Sequence, residues 1–280
     1  MSDERSEHRS SAGGPRRVAV AVDNGVADVR LNRADKLNAL DAAMFQALAE
    51  TGSGLASEPS LRAVVLSGEG RGFCAGLDVG SFGAMAKGGG TGPNLLERPG
   101  GRFATHAQLA AHVWSELPVP VIAALHGVIF GGGLQIALAA DIRLVTPDAR
   151  LSVMEIKWGL IPDMTGSQTL RRLVRLDVAK ELTFTGRIVS GIEAVELGLA
   201  TRVSDDPHAE ALELARGIAG RSPDAIRAGK RLLDESAFVD LETGLRREAE
   251  LQAKLIGSAN QIETVKANLE QRTPNFRDPE

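Results

Sequence analysis

The chain has 280 residues, of which 43% are hydrophobic and 24% charged, values typical of a globular protein with one large core and room for a smaller appendage. The formal net charge of -4, with both signs scattered along the chain, argues against nucleic acid as the main partner, because phosphate binding needs a concentrated basic face. The single cysteine, Cys74, excludes an intrachain disulfide and a paired-cysteine metal site.

The N-terminal residues and the hydropathy of the chain indicate the cellular compartment in which the protein is expected. Residues 1–15 are polar and charged, which predicts a disordered tail and not a secretory signal. No apolar run approaches the roughly 20 residues that a membrane-spanning helix needs. With one cysteine and no sign of a membrane partner, we expect a protein of the reducing cytoplasm.

The N-terminal part predicts a strand hairpin, a helix and a third strand. The predicted strands cover 17–22, 26–31 and 61–66. Asn24-Gly25 predicts a type I′ turn between the first two strands. Apolar residues at helical spacing predict a helix over about 41–56, with Asp41 as its N-cap. This order of elements implies crossover connections.

The middle of the chain alternates loops, helices and short strands. Segment 80–101 contains eight glycines and predicts a loop. Helices are predicted over about 103–116 and after Gly131-Gly132-Gly133, and another strand over 141–146. The strand predicted at 119–125 is nearly all apolar, which indicates burial on both faces.

The second half of the chain is mainly helical. Its predicted helices cover about 165–174, 177–184, 191–196, 207–219, 222–235, 240–256 and 259–270. We assign 16–206 to an α/β core and 207–280 to a C-terminal helical region, which is an appendage of the core and not an independent domain.

Two glycine-rich turns, 70–78 and 126–133, each follow a predicted buried strand and are candidates for ligand binding. Open α/β sheets usually bind ligands at the carboxyl ends of their strands, and glycine leaves backbone N–H groups accessible. The second turn also begins a helix, whose free N–H groups favour negative charge. Two such donors on one oxygen would form an oxyanion hole, whereas the alternative is that both turns serve packing alone.

Two carboxyl groups are candidates for proton transfer. Glu155 lies among apolar neighbours, and Asp163 follows it by eight residues. An apolar setting raises the pKa of a carboxyl group and lets it act as a general acid or base near neutral pH. The alternatives are that Glu155 is an edge residue in a salt bridge with Lys157 and that Asp163 is the N-cap of the following helix.

Four segments of the chain, 31–40, 73–78, 126–143 and 155–170, follow one another in a family's order and spacing. On these segments the chain resembles, from about Val18 to Phe276, the crotonase superfamily, the enoyl-CoA hydratase/isomerase family. The resemblance implies an α/β fold, a crotonase-like spiral of ββα turns with a C-terminal helical trimerisation region. It also implies an acyl-CoA substrate, CoA being part of that substrate with no covalently bound cofactor, and a homotrimer or dimer of trimers.

The resemblance implies roles for individual residues. The N–H groups of Leu77 and Gly132 would hold the thioester oxygen while an enolate forms. Positions that match the CoA- and substrate-binding residues of the family are Lys36, Leu37, Ala39, Ala75, Gly76, Asp78 and Gly131. No metal site is expected, since the histidines and the cysteine are not placed to form one.

Departures from the family pattern bear on the reaction. Hydratases of the family have a second glutamate where this chain has Gln135, and an amide can orient a water or substrate but cannot exchange a proton as a carboxylate can. The pair Glu155 and Asp163 matches the spacing in dienoyl-CoA isomerases. We therefore expect isomerisation over hydration, with these two carboxyl groups moving protons and Gln135 positioning a water or the substrate. The alternatives are hydration, another thioester reaction on the same scaffold, and a non-catalytic acyl-CoA binding protein with a degenerate site.

Overall fold

The computed structural model describes residues 16–81 and 95–279. The predicted tail, 1–15, and most of the predicted loop at 80–101 lie outside these residues. Within the described residues, no helix has both the length and the apolar character needed to cross a membrane.

Two β-sheets organise the fold. The strands, in chain order, are β1 (Val18–Asp23), β2 (Val26–Leu31), β3 (Ala63–Gly68), β4 (Val121–Leu125), β5 (Val128–Phe130), β6 (Ile142–Val145), β7 (Arg150–Ser152), β8 (Val189–Ser190) and β9 (Arg202–Val203). The large sheet has the order β1-β2-β3-β4-β6-β9, and the small one the order β5-β7-β8. In the large sheet only β1 and β2 are antiparallel, and the other pairs are parallel. The predicted α/β class is confirmed.

The hairpin and the third strand show how local sequence and pairing combine. Asn24 and Gly25 both have positive φ, 48° and 78°, as the predicted type I′ turn requires. The third strand begins and ends two residues later than the predicted 61–66. It continues to Gly68 because it pairs with β2 in parallel as far as Leu31.

Helices cover both faces of the large sheet. They are α1 (Ala42–Ala56), α2 (His106–Glu116), α3 (Gly132–Leu138), α4 (Gly166–Leu173), α5 (Leu176–Thr185), α6 (Gly191–Leu197), α7 (Pro207–Ala219), α8 (Pro223–Ser236), α9 (Leu241–Leu255) and α10 (Ala259–Leu269). As predicted, Asp41 caps α1, where its carboxylate accepts the Met44 N–H at 2.8 Å.

The core lies on both sides of the large sheet because successive strand residues point to opposite faces. In β3, Val64 and Leu66 join the main cluster under α1, α2 and α3, while Val65 faces α7 on the other side. Ala211 and Ala215 of α7 are fully buried there. The first helix of the predicted C-terminal region therefore covers the sheet, while the boundary at 206/207 stays a prediction.

Candidate active site

The two glycine-rich turns run side by side beyond the ends of β3 and β4. The Cys74 N–H donates to the Val128 carbonyl at 3.1 Å, and the Phe130 N–H donates to the Cys74 carbonyl at 3.0 Å. Gly76 has a φ of 82°, and a Cβ at this position would lie only 2.7 Å from the Phe130 oxygen and 3.7 Å from the Gly132 nitrogen. Glycine is therefore required at residue 76 for the turns to approach this closely.

The N–H groups of Leu77 and Gly132 have no acceptor among residues 16–81 and 95–279. Leu40 donates its N–H to the Gly76 carbonyl and accepts the Asp78 N–H, so the Leu77 N–H between them is directed away from Leu40. Gly132 is the first residue of α3, where an N–H has no partner within the helix. Two unpartnered donors in adjoining turns can stabilise an oxyanion if both are directed at it.

Glu155 is buried beside the second turn. It begins a short 3₁₀ helix, Glu155–Trp158, and a Cβ on Gly131 would lie 3.5 Å from its Oε1 atom. Burial raises the pKa of Glu155, and the negative charge of Asp163 adds to this effect, whereas the hydrogen bond from Gln135 opposes it. Oε2 of Glu155 is buried and has no hydrogen-bond partner in the described part of the chain. The group can therefore hold or release a proton closer to neutral pH than an exposed carboxyl.

Lys157 does not neutralise Glu155 in the described structure. Its ammonium group instead lies over the Trp158 ring, 5.6 Å from the centroid. Ion pairs between described residues include none that involves Glu155. The alternative that Glu155 is an edge residue in a salt bridge with Lys157 is therefore wrong.

The Gln135 side chain connects Glu155 to the backbone before α4. Its Nε2 atom donates to Glu155 Oε1 at 2.5 Å, and its Oε1 atom accepts the N–H groups of Met164 at 2.7 Å and Gly166 at 2.9 Å. The residue is 3% exposed. Its carbonyl oxygen and one amide hydrogen therefore have protein partners, and the role of positioning a water or the substrate stays a prediction.

Asp163 lies at the surface of a cleft of about 1580 Å³ between α2, α4 and α8. Although Asp163 is exposed, surrounding atoms desolvate its carboxyl group and raise its pKa. It does not cap α4, because the N-cap is Thr165 and no side chain bonds there. Of the two predicted carboxyl groups only Asp163 lines this cleft, while Glu155 lies deeper, close enough for their charges to interact.

The predicted binding residues Lys36, Leu37 and Ala39 lie in a loop that contacts the first turn. Leu37 has a φ of 50°, and its carbonyl accepts the N–H of Ala75 at 2.9 Å. Lys36 is exposed and ends a 3₁₀ turn. The Ala39 carbonyl accepts a hydrogen bond from Arg33 at 3.0 Å. These contacts place the loop against residues 75–78.

Asp78 is held by its own chain. Its carboxylate pairs with Arg33 at 2.5 Å and accepts the Gly80 N–H at 2.7 Å. Burial opposes ionisation, but the Gly80 N–H and the Arg33 guanidinium outweigh it and lower the pKa of Asp78. These contacts with Arg33 and Gly80 hold the loop after Leu77 in place.

Asn38 has a structural role in the site that was not among the predictions from the sequence. It is fully buried, with a φ of 56°, and its Oδ1 accepts the Arg33 N–H at 2.8 Å. Its Nδ2 donates to the carbonyls of Glu69 and Gly72, each at 2.9 Å. It therefore fixes the 36–39 loop to the first turn. Asparagine tolerates the left-handed region better than other side chains, which is the signal that could have revealed it.

Metal ligation has no candidate in the described residues. Across 16–81 and 95–279, no three of the His, Cys, Asp and Glu side chains are grouped so that they could hold an ion.

The Cys74 thiol is buried, and burial raises its pKa to about 12, so it is not a nucleophile near neutral pH.

The family model, the relatives and the solved structures to which this chain is similar all point to one family. A family model described as enoyl-CoA hydratase/isomerase matches residues 21–279. The mitochondrial methylglutaconyl-CoA hydratase of Mus musculus is 32% identical over 260 residues, which are 90% of this chain and 80% of that protein. A peroxisomal Delta(3,5)-Delta(2,4)-dienoyl-CoA isomerase of Arabidopsis thaliana is 32% identical over 91% of this chain and 94% of its own. The crystal structure of enoyl-CoA hydratase from Bacillus anthracis, 32% identical, aligns with a TM-score of 0.83 over 94% of this chain and 100% of that one.

Proposed function

Because the chain belongs to the enoyl-CoA hydratase/isomerase family and is an enzyme of that family, we propose that it isomerises double bonds in acyl-CoA thioesters in preference to hydrating them. The observation that carries this proposal is the amide of Gln135 beside Glu155. Hydration activates a water and delivers a proton to carbon, for which family hydratases use two glutamates. Isomerisation only moves a proton from one carbon to another. One carboxylate, with a second carboxyl group nearby, can carry out that transfer.

Stabilisation of the enolate is assigned to the N–H groups of Leu77 and Gly132. Negative charge develops on the thioester oxygen when a proton leaves the acyl chain, and fixed backbone donors lower the free energy of that state. The unpartnered state of both N–H groups and the contact between their turns support this role. Loss of one such donor typically costs on the order of 10²–10³ in rate.

Proton transfer is assigned to Glu155 and Asp163. The Glu155 carboxylate takes a proton from one carbon, and the electron pair of the broken C–H bond moves through a dienolate onto the thioester oxygen. The proton then returns from Glu155 to a different carbon. In the other order Asp163, protonated at the start, donates its own proton to that carbon and is reprotonated when Glu155 releases its proton, so both groups are restored and no oxidant or reductant is needed. The raised pKa of each group supports the assignment, because a pKa shifted towards the working pH helps a carboxyl group both to take and to return protons.

Binding of the CoA part and the thioester is assigned to the residues around the two turns. They are Lys36, Leu37, Ala39, Ala75, Gly76, Asp78 and Gly131. The packing of the 36–39 loop on the first turn and the position of Gly131 beside Glu155 support this grouping. The role of Asp78 in it is to hold the loop through Arg33.

We also propose a homotrimer or a dimer of trimers, and a cytoplasmic location. Support for an assembly comes from large apolar side chains that are exposed in and around α8 and α9. They are Leu233, Phe238, Leu241 and Leu245. Apolar surface of this kind is commonly covered by another chain.

The reaction is tested by incubating the protein with 2-enoyl-CoA, 3-enoyl-CoA and 3,5-dienoyl-CoA and following their absorbance. We expect isomerisation of an unsaturated thioester to exceed hydration. Glu155→Gln should reduce it on the order of 10²–10⁴-fold, and Asp163→Asn should also reduce it. Glu213→Gln, on the exposed face of α7, is the matched control and should retain full activity.

Other outcomes select the alternatives. Faster hydration of 2-enoyl-CoA, lost in the same variants, would make the protein a hydratase, the activity in the name of its Mus musculus relative. CoA binding without turnover of any thioester would make it a non-catalytic binding protein. Gln135→Glu supplies the second carboxyl group and should increase hydration relative to isomerisation.

A further inference from the structure

The orientation of the Gln135 amide is determined by its partners. Two backbone N–H groups, of Met164 and Gly166, meet one atom of this amide, and only its carbonyl oxygen can accept them. The NH₂ group therefore faces Glu155 and donates to Oε1. A carboxyl oxygen that accepts this bond cannot at the same time carry a hydrogen directed at Gln135. The carbonyl oxygen of a neutral carboxyl group is the stronger acceptor, so this bond favours the proton of a neutral Glu155 on Oε2, the oxygen without a partner among the described residues.

We propose that Gln135 is a positioning residue that keeps Glu155 Oε1 as a permanent acceptor, so that Oε2 is the atom that takes and returns the substrate proton. The inference deepens the proposed function and rests on it, because it assumes that Glu155 is the base. Gln135 itself does not exchange the proton. In the transfer, the substrate C–H bond breaks, the Oε2–H bond forms, and the reverse occurs at the second carbon.

The same amide also holds the turn that follows Asp163. A Cβ on Gly166 would lie 2.7 Å from Gln135 Oε1, so the hydrogen bond needs glycine at that position. Thr165, between the two donors, has a φ of 74°, a conformation that costs free energy for a threonine. The Gln135 carbonyl contributes the hydrogen bonds that stabilise this conformation. One side chain thus fixes the position of Glu155 and of the backbone next to Asp163.

A carboxylate at residue 135 would change the titration of the site. One of its oxygens would accept the Met164 and Gly166 N–H groups, and the other would face Glu155 Oε1 at the present 2.5 Å separation. Two carboxyl oxygens that close must share a proton, and the pair then titrates as one unit. With glutamine at residue 135, Glu155 accepts a hydrogen bond and titrates as a single independent group.

The first test compares Gln135→Met and Gln135→Glu with the wild type by steady-state kinetics from acid to neutral pH. Gln135→Met removes the donor that favours the Glu155 carboxylate, so the acid limb of kcat/KM should move to higher pH. Its kcat should fall by about 10²-fold, with KM little changed, because the base is misplaced and not the substrate. Gln46→Met is the matched control, since Gln46 makes the same amide-to-carboxylate bond to Glu50, at 2.8 Å on the exposed face of α1.

The second test measures hydrogen exchange of the backbone amides in 163–166, which does not depend on turnover. Gln135→Met should exchange faster there than the wild type, whereas Gln135→Glu keeps an acceptor for both N–H groups and should stay protected. Unchanged exchange in Gln135→Met, or an unchanged kcat and pH profile, would overturn the proposal. Glu155→Gln retaining full turnover would instead refute the proposed function, and a loss of protection in Gln135→Met would in that case still establish the contact with the turn.

Discussion

At the scale of single residues, Glu155 combines burial with one oxygen held by Gln135 and another without a protein partner. A buried polar atom that lacks a hydrogen bond lowers the stability of the folded state. Active sites commonly retain such groups because the reaction needs them. Glu155 should therefore be a position where function and stability oppose each other.

The pH dependence of the stability tests whether ionisation of the buried Glu155 destabilises the folded protein. The pKa of Glu155 is raised in the folded chain above an ordinary value of about 4.3. As the pH rises from that value to the folded-state pKa, ionisation favours the unfolded state, and the protein loses stability. Glu155→Gln avoids this loss and keeps an acceptor for Gln135, so it should unfold at a higher temperature than the wild type at pH 7.

The gain in Glu155→Gln should shrink as the pH is lowered below about 4, where Glu155 becomes protonated in the unfolded as well as the folded state. Thermal unfolding followed by circular dichroism across this range measures it. Glu213→Gln is again the control and should give no comparable gain. A variant that is less stable than the wild type at neutral pH would contradict the assignment of a raised pKa.

At the scale of elements, the start of α3 is built to approach the first glycine-rich turn. A Cβ on Gly133 would lie 2.5 Å from the Cys74 carbonyl oxygen, a backbone atom that cannot move independently of its turn. A Cβ on Gly132 would instead meet the ends of the Leu40 and Met164 side chains, at 2.8 and 2.9 Å, which can rotate away. The contact at residue 133 therefore sets how close the two turns come.

Gly133→Ala measures this contact. Helix propensity alone favours alanine over glycine, but the clash with Cys74 should lower the free energy of unfolding by about 1–3 kcal/mol. Gly217→Ala is the matched control, since Gly217 lies inside α7 with no atom within 4 Å of an added Cβ, and it should gain about 0.5–1 kcal/mol. Urea unfolding of both variants gives the comparison. Equal gains would mean that the turns are not in contact at Gly133.

At the scale of the whole molecule, α7 and the helices after it have different surroundings. Ala211 and Ala215 bury α7 against the large sheet, whereas Leu241 and Leu245 of α9 are 77% and 54% exposed. Such side chains gain free energy when another surface removes them from water. Under the proposed assembly, the exposed face of α9 is therefore a candidate for contacts with further copies.

Mass measurement in solution tests the proposed assembly. Light scattering after size exclusion should give three or six times the chain mass of 29.5 kDa. Leu241→Glu should shift the distribution towards smaller species if α9 lies in the contact, while Glu242→Gln, at an exposed neighbouring position on the same helix, should not. A wild-type mass of 29.5 kDa would refute the trimer.

Features that depend on neighbouring residues could be predicted from the sequence. Positive φ at Asn24 and Gly25 follows from their residue types, and the Asp41 cap follows from its place before an apolar periodic run. The family was likewise predictable from segments whose residues match in order. The strands β5, β7, β8 and β9 were not predicted, because two or three residues carry no periodic signal and their pairing is with distant parts of the chain.

The hydrogen bonds and ion pairs that connect the candidate site depend on tertiary packing. Sequence identifies Gln135 as a donor and an acceptor, but its partners lie 20 to 31 residues further along the chain. Asp78 likewise pairs with Arg33 across 45 residues. Hydrogen bonds and ion pairs at such separations form where packed elements bring the groups within about 3 Å, and that packing depends on the whole core and not on the local chain.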